Sequence, residues 1–146
     1  MSRYIVVATA DEIRLLDLLP HLPQLPIIVT GVGGTNVINA LDKISRESEI
    51  INVGYAGSVD LARGEIYQVK ESRLYHKVPF SERTYILPHG NVPCLTSTDF
   101  VTEGQAGVLF DMELAFICAM GFKSVVAYKV VSDNCNLKEY EEFKNK

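Results

Sequence analysis

Ile27-Ile28-Val29-Thr30-Gly31-Val32-Gly33-Gly34-Thr35-Asn36 is the stretch on which the fold class turns. Ile27 to Thr30 reads as a buried strand that runs into a glycine turn. Val37, Ile38, Ala40, Leu41 and Ile44 then recur at helical spacing. A strand that closes in glycine and gives way to an amphipathic helix is a building unit of α/β proteins. Upstream, Tyr4 to Thr9 is a β-rich run, followed by a short amphipathic helix from about Glu12 to Leu19. Pro20, Pro23 and Pro26 make the next segment an extended loop.

Downstream, Glu49 to Val53 reads as a strand closed by Gly54-Tyr55-Ala56-Gly57. Glu65 to Leu87 favours strands over helices. A turn at Pro88 to Asn91 leads into a strand from Val92 to Thr96. Asp111 to Met120 reads as a helix ended by Gly121, Ser124 to Val131 as a last buried strand, and Leu137 to Lys146 as a charged terminal helix or tail. The expected fold is α/β, a three-layer sandwich with a central mixed β-sheet, in one domain spanning residues 1–146.

Composition narrows the functions. The 146 residues are 47% apolar and 22% charged, an ordinary globular balance. A net charge of -4 argues against a nucleic-acid or anionic-membrane partner, since those reward clustered Lys and Arg. Cys94, Cys118 and Cys135 are odd in number and lack metal-type spacing, which suits reduced thiols in the cytoplasm. Neither a signal peptide nor an apolar run long enough to span a bilayer is expected.

Several short motifs carry polar chemistry. The glycine turn raises a dinucleotide site, but the third glycine of that fingerprint is Asn36, and no acid closes the following strand. Asp11-Glu12 at the end of the first strand reads first as helix-start acids, although strand ends in α/β proteins also hold active-site carboxylates. Phe110-Asp111-Met112-Glu113-Leu114-Ala115 places two acids before an apolar helix, and Val130-Val131-Ser132-Asp133-Asn134 ends an apolar strand in Ser-Asp. Lys129 lies within that strand, as either a buried-stem cation or an edge residue. His21, His76 and His89 have no partners at ligand spacing, so neither a metal nor a cofactor is expected.

Taken in order, these segments resemble the purine nucleoside phosphorylase and methylthioadenosine/adenosylhomocysteine nucleosidase superfamily, of which this would be a short member. Ala8 to Leu16, Thr30 to Asn36, Ile51 to Gly57, Arg63-Gly64-Glu65-Ile66, Ser97-Thr98-Asp99-Phe100, Asp111-Met112-Glu113 and Val131-Ser132-Asp133 carry the resemblance. It implies cleavage of the N-glycosidic bond of a purine nucleoside, with 5′-methylthioadenosine-like or adenosylhomocysteine-like compounds among the substrates.

Roles follow by resemblance. Asp133 matches the acid that protonates the departing purine at N7, with Ser132 orienting it. Glu12 matches the acid that handles the attacking water. Glu113 matches the carboxylate that accepts the ribose hydroxyls, Met112 the sugar packing, Phe100 the base-stacking ring and Val101 the backbone at the base edge. Phosphorylases hold phosphate with arginines; none falls near Gly33, and Arg63, the first after Gly57, matches the opening of the next strand instead, so water is the expected nucleophile. The chain departs from the pattern in Tyr55 for a small residue, Thr98 for glycine and Asp111 for glutamate. A phosphorylase, or a nucleoside-binding relative without activity, is the alternative. The resemblance also implies a homodimer.

Overall fold

In the computed structural model, which describes residues 2–75 and 83–145, eight strands join in one mixed sheet. His76 and the middle of the strand-rich region read between Glu65 and Leu87 lie outside the described residues. The strands are β1 (Arg3–Val7), β2 (Ile27–Val29), β3 (Glu49–Gly57), β4 (Ile66–Leu74), β5 (Tyr85–Ile86), β6 (Val92–Thr96), β7 (Leu109–Asp111) and β8 (Ser124–Asp133). Helices α1 (Gly34–Leu41), α2 (Leu114–Ala119) and α3 (Leu137–Lys144) complete the fold, with a 3-10 helix at Ala10–Leu18 where an amphipathic helix was expected.

The centre is β3. Its Ile51, Val53 and Tyr55 pack on one face with Ile5, Val7, Leu15, Leu19 and Val130. Ile50 and Ala56 face the other way, toward Val6, Val37, Leu41, Leu114 and Ile117. This is the two-residue alternation of a strand covered on both sides. Fully burying side chains such as Leu41, Ile50 and Ile117 stabilises by about 1.5–3 kcal/mol each.

The mixed sheet is as expected from the sequence, but a three-layer sandwich describes only part of it. Around β1 and the first half of β3, the 3-10 helix covers one face and α1 the other. Beyond that the sheet closes on itself. β3 pairs with β8, β8 with β4, β4 with β6, β6 with β7, and β7 returns to β3 where Phe110 lies opposite Gly57. The nine-residue β3 makes this possible, because β1 occupies its edge only from Glu49 to Asn52. A small barrel-like closure results, with β1 and β2 extending outside it. β2 is therefore an edge strand, not the buried one expected, and Ile27 and Val29 are 39% and 47% exposed.

The second correction concerns glycine. Gly54-Tyr55-Ala56-Gly57 is not a turn after β3 but its last four residues. A Cβ on Gly54 would lie 2.8 Å from Glu12 Oε2, and one on Gly57 would lie 2.9 Å from Asp133 Oδ1. Both are glycine because a carboxylate passes where a side chain would start. Asp111, expected to open a helix, instead ends β7 before the six-residue α2, and β8 runs two residues past Val131 to include Ser132 and Asp133. The parallel strands β1, β3 and β8 all end at one edge of the sheet, which gathers Ala8, Gly57 and Asp133.

Candidate active site

A cavity of about 280 Å³ opens at that edge. Glu12, Phe100, Met112, Glu113, Ser132 and Asp133 all line it, together with Tyr55, Asp111, Leu137 and Tyr140. Val101 lines a small annex instead, which shares Phe100, Met112 and Asp133 with the main cavity. Residues singled out from four separate stretches of sequence thus meet around one space. His21 and His89 line neither.

Each acid is held differently. Glu12 follows β1 directly, and its Oε1 accepts the amides of Ala8 at 2.7 Å and Thr9 at 3.1 Å, while Oε2 accepts that of Tyr55 at 2.8 Å. Burial raises its pKa, opposed by the nearby Lys129 and by those three amides. Glu113, just before α2, accepts one amide, that of Gly33 at 2.9 Å. Gly33 has φ near 90°, a conformation glycine adopts without strain, and this aims its N–H at the carboxylate. Burial and the charge of Asp111 push Glu113 up to about 7.

Asp133 is 1% exposed. Its Oδ2 accepts the Ser132 hydroxyl at 2.7 Å, and Oδ1 accepts the amides of Cys135 at 2.9 Å and Asn136 at 3.2 Å. Burial raises its pKa against these bonds, and Glu139 adds to the rise. Phe100 leans on Tyr140, with ring centres 5.7 Å apart, so the two form an aromatic wall.

No family model matches the sequence, and no curated protein matches it. Solved structures do match in fold. A Chlamydia trachomatis 5′-methylthioadenosine/S-adenosylhomocysteine nucleosidase, an Asp-to-Asn variant bound to methylthioadenosine, superposes with a TM-score of 0.77 at 19% identity, over 99% of this chain and 90% of that one. The chain has the fold of these nucleosidases. The Helicobacter pylori nucleosidase matches with a TM-score of 0.74 at 14% identity, over 98% of this chain and 90% of that one. A Streptococcus pyogenes S-adenosylhomocysteine nucleosidase, in complex with 5-methylthiotubericidin, gives 0.72 at 19%, over 98% and 89%.

Within this nucleosidase fold lies a group that sequence reading left undecided. Lys129 is 1% exposed, and its Nζ meets Asp111 Oδ2 at 2.9 Å. Asp111 also accepts the Thr96 hydroxyl at 2.5 Å and the Leu114 amide at 2.8 Å. Burial opposes its charge, but Lys129, Thr96 and that amide outweigh it, so its pKa falls below the ordinary value. Lys129 is raised for the matching reason: burial works against its charge, and Asp111, Cys94, Glu113 and Glu12 overcome that. A Lys inside an otherwise apolar strand, one helix downstream of an acid at a helix start, was the available signal. Tyr55 was also read only as a departure. Its phenol accepts from Arg14 Nε at 3.1 Å, and its ring meets Tyr140 and Phe143 of α3 edge-on.

Proposed function

We propose that the protein hydrolyses the N-glycosidic bond of a purine nucleoside, with 5′-methylthioadenosine-like and adenosylhomocysteine-like compounds as the substrate class. One observation carries this reading: Asp133, a buried carboxyl whose pKa is raised, faces the same cavity as Glu113 and Glu12. Cleavage leaves positive charge on the ribose and negative charge on the departing purine. Asp133 donates its proton to the purine N7, with Ser132 fixing the carboxyl's orientation. General acid catalysis of this kind contributes roughly 10²–10⁴ in rate.

Glu113 accepts the ribose hydroxyls, and Met112 packs on the sugar. Phe100 stacks on the base, with the Val101 backbone at its edge. Glu12 handles the attacking water, its carboxylate fixed by three amides and retaining a lone pair on Oε2. The described residues lining the cavity include no Lys or Arg, which supports water over a phosphate dianion as nucleophile. The alkylthio-nucleoside ligands of the Chlamydia and Streptococcus nucleosidases support the substrate class.

A homodimer in the cytoplasm completes the proposal. Exposed Ile27, Val29 and Ile38 provide apolar surface for a second copy, and three buried free cysteines suit a reducing compartment. No helix among the described residues is long and apolar enough to cross a membrane.

The test is a panel of purine nucleosides assayed for free base, with and without phosphate. Free base and free sugar in phosphate-free buffer are expected. Strict phosphate dependence with a sugar 1-phosphate product would make it a phosphorylase. Saturable binding without base release would make it a nucleoside-binding relative.

A further inference from the structure

We propose that Glu139, in the first turn of α3, is a positioning residue for Asp133: it fixes the loop that aims the Asp133 carboxyl and sets a negative charge beside it, with Arg63 tempering that charge. The inference rests on reading Asp133 as the acid that protonates the purine.

The loop from Asn134 to Asn136 needs a restraint. Cys135 has φ near 62°, a left-handed conformation that costs a non-glycine residue about 1–2 kcal/mol. That turn is what brings the Cys135 and Asn136 amides onto Asp133 Oδ1. The remaining amide of the loop, Asn134 N–H, goes to Glu139 Oε1 at 2.9 Å. Glu139 N–H donates to Asn136 Oδ1 at 3.0 Å, which makes Asn136 the N-cap of α3. The Asn134 side chain ties the loop to the Ser58 carbonyl at 2.8 Å, and Ser58 N–H donates to the Asp133 carbonyl at 3.1 Å. Every backbone amide of the loop therefore ends on one of two carboxylates, Asp133 or Glu139.

The second carboxylate also acts through its charge. Glu139 Oε2 lies 3.4 Å from Arg63, with both side chains about one-third exposed, so the pair adds little to stability. Its field also reaches the neighbouring acid: burial is the larger cause of the raised Asp133 pKa, and the Glu139 charge adds to it. The other charges nearby are differently placed. Asp111 and Asp99 line the annex with Asp133, and Glu12, Glu113 and Tyr140 line the main cavity with it. Asp111 is neutralised by Lys129, whose charge also acts on Glu12 and Glu113. The Cys135 thiol, pushed up to about 11 by burial and by Asp133, stays neutral. Glu139 is thus a charge that substitution can remove without opening the core.

The test compares wild type with Glu139→Gln, Glu139→Ala and Arg63→Met, following base release against pH and the Asp133 carboxyl by carbon NMR. For Glu139→Gln, the Asp133 midpoint and the basic limb of kcat should move to lower pH, cutting the rate about threefold above the midpoint, as loss of one partly screened charge implies. Arg63→Met should move both to higher pH. Glu139→Ala should move them down and also lower kcat at every pH, with KM less affected, because the loop loses its acceptor. If the Asp133 midpoint stays the same in all four proteins, whether or not thermal midpoints fall, Glu139 is only a structural tie of the loop and the proposal is overturned. If no protein, wild type included, releases base, the nucleosidase reading fails, and the carboxyl titration alone still decides the role of Glu139.

Discussion

Asp111 and Asp133 are two aspartates in the same position of two different strands. Each is the last residue of its strand, each is nearly fully buried, and both line one cavity. Asp111 has a cation at 2.9 Å and is held as a carboxylate. Asp133 has a hydroxyl and two amides but no ion pair among the described residues, and burial wins. The difference teaches that hydrogen bonds alone do not set the charge of a buried acid. At Asp111 a cation in direct contact outweighs burial, and that cation, Lys129, is paired with the aspartate to which no proton transfer is assigned.

Exchanging the side chains should separate the two roles. The largest effect belongs to Asp133→Asn, which keeps shape and hydrogen bonding but has no proton to transfer. Single-turnover base release should fall on the order of 10²-fold or more with the fold retained. A mere turn or cap residue would instead cost about 0.5–2 kcal/mol of stability and leave turnover normal.

The Asp111 side of the comparison should respond in stability. Lys129→Met strands a buried carboxylate and should cost about 3–5 kcal/mol in denaturant unfolding. Asp111→Asn strands the Lys and should cost a similar amount. A double variant that loses less than the sum of the two would establish that they act as one pair.

Glu113 stands between the extremes, close to the ion pair but bonded to one amide only. Glu113→Gln should weaken kcat/KM by roughly 10- to 100-fold, the worth of a charged hydrogen bond to the ribose hydroxyls of about 1.5–3 kcal/mol. Free base should bind almost as before. Equal loss of nucleoside and base binding would contradict the ribose role.

Glu113 also bears on stability against pH. Native Glu113 keeps its proton to about 7, whereas the unfolded chain releases it near 4.5. Within that window the native state binds more protons, so this group's contribution to stability is full below 4.5 and is lost as pH rises to about 7. Unfolding curves for wild type and Glu113→Gln should diverge in that sense, and a slope of opposite sign would remove Glu113 from the account.

What was legible in the sequence follows from the range of the signals. Strand-to-helix alternation is local, so β1, β8 and α1 were readable near their observed limits. Asp133 was also readable, since a polar residue closing a long apolar run is a local event, whereas Asp111 reads locally as a helix start because the strand it closes is only three residues long. Closure of the sheet was not, because it depends on Gly57 meeting Phe110 across a large sequence separation. The same holds for Gly54 and Gly57, which mimic turn residues locally and only in the fold turn out to clear space for Glu12 and Asp133. Lys129 was ambiguous because its meaning lies wholly in its partner, Asp111.

The central claim is that Asp133 holds a proton that the purine can take, while Asp111 does not. Carbon NMR of the aspartate carboxyls across a pH titration reads this directly, with Asp133→Asn and Asp111→Asn assigning the two signals. The account predicts that Asp133 titrates above the ordinary aspartate value of 3.8 and Asp111 below it. An Asp133 midpoint at or below that of Asp111 would contradict it.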